Sequence, residues 1–178
     1  KLNPHFKNIA FILFISITIS AQNKDNIWTA CLNGDLSSVK GFIEGGTSVD
    51  ALDENKRSPL MFAAFNGHFE VVEYLIKHKA KIDIEDVEGR TALMFSSTSQ
   101  SLETIELLLK SKAKINHADK AEGFTSLMFA AGEGHLESVK LLVKYGANTK
   151  IKDQDGDTAL NHAINSKHVS VVEYLMTK

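Results

Sequence analysis

The sequence predicts an all-α solenoid of five stacked helix-turn-helix units with projecting hairpin loops, and three observations predict it. The stretch SPLMFAAFNGHFEVVEYLIKHKAKIDIEDVEGR, 58–90, returns as TALMFSSTSQSLETIELLLKSKAKINHADKAEGF from Thr91 and as TSLMFAAGEGHLESVKLLVKYGANTKIKDQDGD from Thr125. Ile27, Leu60, Leu93, Leu127 and Leu160 fall at spacings of 33, 33, 34 and 33, the sign of a repeat architecture. Within each copy the apolar residues recur at helical spacing in two segments too short to be stable alone, so each unit must bury its stripe against its neighbours.

Residues 1–21 stand outside the repeat. Lys1, His5 and Lys7 precede the apolar run Ile9–Ile19, and the small residues Ser20 and Ala21 follow. This layout is that of a signal peptide cleaved after Ser20 or Ala21, in a run too short to span a bilayer comfortably. The rival readings are an apolar capping helix and an uncleaved membrane anchor. Removing this segment leaves 18 Lys and Arg against 22 acids, a mild acidity that predicts no affinity for nucleic acid or anionic membrane. Cys31 is the single cysteine and the sequence has no Asn-x-Ser/Thr sequon. Both features favour a bacterial periplasm over a eukaryotic extracellular space as the destination of an exported chain.

The repeat domain spans 22–178, in units of about 25–57, 58–90, 91–124, 125–157 and 158–178. In the second unit Ser58 suits an N-cap and Pro59 the first helical position, where a missing N–H costs nothing. A helix over about 59–66 follows, with Ala63 and Ala64 where neighbouring units must approach closely. Gly67 and His68 make a turn. A second helix places Phe69, Val72, Leu75 and Ile76 on one stripe, with Glu73 and Lys77 set to pair one turn apart, as are Glu106 and Lys110. The polar segment 81–90 then leads to the next cap.

These residues resemble the ankyrin repeat: SPLMFAA, GHFEVV, YLI, KAKID and DVEG follow its T-P-L-H-x-A-A, G-H-x-E-V-V, L-L, G-A-D-V-N and D-x-x-G pattern. The resemblance runs from about Asp25 to Lys178. It implies an ankyrin-repeat solenoid whose hairpins and first helices form a concave face that binds another protein. Departures are also informative. The pattern's histidine is Met61, Met94, Met128 and Asn161, so methionine is expected to fill that space by packing. Lys79 and Lys112 stand where glycine ends the second helix, and would adopt a left-handed conformation. The third unit has Ser96, Ser97 and Gln100 in place of two alanines and a glycine, and one inserted hairpin residue, so it is expected to open first. The polar Asn161, His162, Asn165 and Lys167 make the last unit read as a cap.

No catalytic constellation breaks the period. His68, His135 and His168 occupy one equivalent turn position, and His78, His117 and His162 lack metal-ligand spacing. Asp53, Asp86, Asp119 and Asp153 start hairpins in register. The segment Asp153–Asp157 lacks the glutamate a calcium loop needs. Cys31 sits where Ala64 and Ala131 sit, as a small buried residue. No enzyme activity, metal, cofactor or small-molecule substrate is expected.

The remaining variation is at positions expected to be exposed. In the hairpins these are Arg57, Val87, Glu88, Arg90, Phe124, Gln154 and Asp157; at the first-helix ends they are Phe65, Asn66 and Glu133. Phe65 and Phe124 beside Arg57 and Arg90 have the aromatic-plus-arginine composition of an interface hot spot.

Overall fold

The computed structural model describes residues 26–178, so the expected signal segment 1–21 lies outside the described residues. Among the described residues ten helices follow in pairs. They are α1 (Ile27–Asn33) and α2 (Leu36–Glu44), α3 (Pro59–Phe65) and α4 (Phe69–Lys77), α5 (Ala92–Ser97) and α6 (Leu102–Lys110), α7 (Ser126–Gly132) and α8 (Leu136–Lys144), α9 (Ala159–Asn165) and α10 (Val169–Leu175). First helices pack on first helices and second on second along the array. No described helix is long and apolar enough to cross a membrane.

Three of the first helices, α1, α7 and α9, open on a side-chain cap. Asn26 Oδ1 accepts from Thr29 N at 2.8 Å, and Thr125 Oγ1 from Met128 N at 3.4 Å. The residue three places on answers. Met61 Sδ accepts from Ser58 N and Met128 Sδ from Thr125 N, both at 3.4 Å, while Asn161 Oδ1 accepts from Thr158 N at 2.9 Å. Met61 and Met128 therefore do more than fill space: a polarizable sulfur supplies a weak acceptor for the N-cap amide, and at Thr125 it closes a reciprocal cap.

The core is a set of columns at repeat spacing. Phe62, Phe95 and Phe129, the small pair Ala63 and Ala64, and the second-helix pairs Val72 with Leu75, Ile105 with Leu108 and Val139 with Leu142 are all buried. Each such large side chain contributes roughly 1.5–3 kcal/mol relative to exposure. Outside the stack, Glu73–Lys77 and Glu106–Lys110 pair at 2.9 and 3.1 Å as the spacing predicts, worth only tenths of a kcal/mol each.

Lys79 and Lys112 are left-handed, at φ 70° and 67°, as their place in the pattern requires. Lys56 and Lys167 join them at 59° and 63°. Gln100 does not. The helix end in the third unit is rebuilt by hydroxyls: Ser97 Oγ donates to Leu93 O, Thr98 Oγ1 to Phe95 O and Ser99 Oγ to Ser96 O, each at 2.8 Å. Carbonyls orphaned at a helix end find partners without a left-handed residue.

The last unit is less polar at its surface than its sequence implies. His162 is fully buried, its Nε2–H donating to Asp153 Oδ2 at 2.7 Å beneath Phe124, whereas Ile164, Val169 and Met176 are exposed.

Candidate protein-binding face

Each hairpin is locked by its aspartate. Asp53 Oδ1 accepts from Asn55 N and Arg57 N, Asp86 Oδ1 from Glu88 N and Arg90 N, and Asp153 Oδ1 from Asp155 N and Asp157 N, at 2.8–3.0 Å. Asp119 spans the inserted residue by taking Glu122 N and Gly123 N at 2.9 Å and Phe124 N at 3.3 Å. Burial pushes the Asp86 carboxyl above its usual range, against these N–H groups and Arg90. The turns carry the hairpins; the one described strand-type pairing is the isolated bridge Ala118–Thr125.

The hairpin tips are joined to one another. Val87 N donates to Asn55 O at 3.0 Å, Lys120 N to Glu88 O at 2.8 Å, and Gln154 N to Glu122 O at 2.9 Å. A backbone link thus runs across every pair of successive hairpins. Side-chain links reinforce it: Glu85 pairs with Lys120 at 2.6 Å, which holds the Glu85 carboxyl below its usual range, and His117 Nε2–H donates to Gly89 O at 2.9 Å.

Three of the residues expected on the surface turn inward. Arg57 is 3% exposed, with Nε and Nη2 on Asp53 Oδ2 at 2.9 and 2.8 Å and its guanidinium over Phe62. Arg90 is buried, paired with Glu88 and 3.8 Å from Asp119 Oδ2. Phe124, 3% exposed, stands edge-on to Phe129 and His162. All three occupy one register position, directly before the buried cap, where the chain folds back under its own hairpin; their expected exposure is corrected for that reason.

The other candidates remain accessible to differing degrees. Val87 is 54% exposed, and Asn66 and Gln154 are exposed, although Asn66 Nδ2 also donates to Leu32 O at 2.7 Å. Glu88, Asp157 and Glu133 are half-buried; burial raises the Glu133 pKa and nearby His168 partly offsets it. Phe65 is half-buried, edge-on to Phe95 at 6.3 Å. Lys56, Lys120 and Asp155 are exposed beside them.

The turn histidines are structural. His68 Nε2–H donates to Leu32 O and His168 Nε2–H to Gly132 O, both at 2.9 Å, each tying its unit to the one before. Cys31 is buried among apolar neighbours, which pushes its thiol up to about 12 and leaves it no nucleophile at neutral pH.

Compared with protein-family models, the chain matches ankyrin repeats (3 copies) over residues 27–119 and again over 113–178. The chain belongs to the ankyrin-repeat family. A search of curated proteins returns no match. Ankyrin repeats generally serve as protein–protein interaction modules, and this ankyrin-repeat chain has the stacked helix pairs and linked hairpins of such a scaffold.

Proposed function

We propose that this ankyrin-repeat protein is a non-enzymatic, exported binding module that holds another protein against its hairpin tips and first-helix ends. The observation that supports this face is the tip-to-tip backbone linkage, which fixes exposed Val87, Lys120 and Gln154 in register without ordering on binding. The face needs no contribution from Arg57, Arg90 or Phe124. Acids outnumber bases on it, with Glu54, Glu88, Glu122, Glu133, Asp155 and Asp157 against Lys56 and Lys120, so the partner surface is basic.

Photo-crosslinking side chains at position 87 or 154 should capture one partner in the native compartment, while one at Lys144, on the outer helices, should not. Crosslinks from position 144 alone would discard the face. Export rests on the Lys1 to Ala21 pattern, and the native mass tests it: a protein retaining Phe11 to Ile19 is the membrane-tethered adaptor instead.

A further inference from the structure

Two edges of the array are built differently. Along the hairpin edge each joint from the first unit to the fourth is tied. Beside the tip linkage, Asp50 Oδ1 accepts from Lys81 N at 2.9 Å, Asp83 Oδ1 from Lys114 N at 3.0 Å and Asn116 Oδ1 from Asn148 N at 2.8 Å, one rung per joint from the first unit to the fourth.

Along the turn edge the rungs fail around the third unit. His68 and His168 reach the preceding unit at 2.9 Å. Ser101, in the same register, instead bonds within its own helix, through Thr104 Oγ1 at 2.9 Å. His135 is displaced. Its equivalents sit on a glycine, with His168 Nδ1 only 2.4 Å from where a Cβ on Gly134 would stand, whereas in the register opposite His135 the glycine is replaced by Gln100, which lines the same cleft. It reaches Ser97 O through Nδ1 at 3.4 Å rather than the next carbonyl along. A cleft of about 290 Å³ opens there, lined by Gln100, Leu102 and the stretch from Gly134 to Ser138. A groove of about 400 Å³ between α6 and α8 shares Leu102 and Glu137 with it. Buried Ser96, Ser97, Thr104 and Ser138 replace apolar residues of other units, so this stretch also has less apolar surface to hold it shut.

We infer that the array flexes as two blocks about its hairpin edge, opening along the turn edge on either side of the third unit. The tied edge acts as the hinge axis, and the unclamped edge as the side that gapes. Bending in this sense changes the angle between the hairpins of units one and two and those of units four and five.

Spin labels on cysteines in a Cys31→Ala background test this. Positions 70 and 137 report the turn edge, and 87 and 155 the hairpin edge, each pair spanning the third unit. The distance distribution for 70–137 should be at least about twice as wide as that for 87–155, and Gln100→Gly with Ser101→His should narrow it by restoring the rungs. Equal widths, or a turn-edge width that the double substitution leaves unchanged, overturn the inference. Should the double variant lose its helical circular dichroism, Ser101→His alone decides by the same narrowing.

Discussion

The imidazole of His168 lies against Gly134, its Nδ1 2.4 Å from where a Cβ on that glycine would stand. The glycine carries two demands at once, a left-handed backbone at φ 78° and room for the ring. Gly156, at φ 84°, makes the first demand alone, because nothing lies within 4 Å of its Cβ position. Gly156→Ala should therefore lose about 1 kcal/mol of stability in urea unfolding, the cost of backbone strain. Gly134→Ala should lose that and about 1–3 kcal/mol more from overpacking. Equal losses would mean that the ring yields freely.

The left-handed lysines invert the argument. Lys79 and Lys112 are exposed, at φ 70° and 67°, in conformations that cost an L-residue on the order of 1 kcal/mol. Lys79→Gly and Lys112→Gly should each stabilise the fold by roughly 0.5–1 kcal/mol despite the looser unfolded chain. Glu73→Gly, inside α4, should destabilise it by about as much.

How far the sequence is legible follows from what kind of signal each feature leaves. The period, the helix starts at Ser58, Thr91, Thr125 and Thr158, and the left-handed Lys79 and Lys112 are local patterns, and they are found where the pattern puts them. The inward turn of Arg57, Arg90 and Phe124 is not local. It depends on Asp53, Asp119 and the phenylalanine column of neighbouring helices, none of which the residues themselves reveal. A signal was nevertheless present: the three share one register position, immediately before a buried cap, and a recurring position is more often a packing position than a variable surface one. His162 left no such trace, since its partner Asp153 lies in the preceding hairpin.

That buried pair should be a main tie between the fourth hairpin and the last unit. His162 Nε2–H donates to Asp153 Oδ2 at 2.7 Å while Asp153 Oδ1 holds the turn, so one carboxylate fixes both. His162→Ala removes a hydrogen bond to a charged group and opens a cavity under Phe124, for an expected loss of about 3 kcal/mol in thermal or urea unfolding. Exchange of the Asp155 and Asp157 amides should quicken with it. A loss below about 1 kcal/mol would mean that water replaces the ring without cost.

The displaced histidine gives the fold a pH dependence. Burial lowers the His135 pKa, opposed by its bond to Ser97 O and aided by the positive charge of His168. With the folded pKa below the unfolded one, the unfolded chain binds the proton first as pH falls. Stability from this residue is therefore present above the unfolded value near 6.5 and is lost as pH falls through the folded one. Because His135 stands at the unclamped turn edge, that loss should appear there: between pH 7.5 and 5.5, amide exchange in α5 and the first turn of α8 should quicken more than in α3. His135→Gln, which cannot take up a proton, should flatten the difference. An unchanged slope in the variant would assign the acid sensitivity to carboxylates elsewhere in the stack.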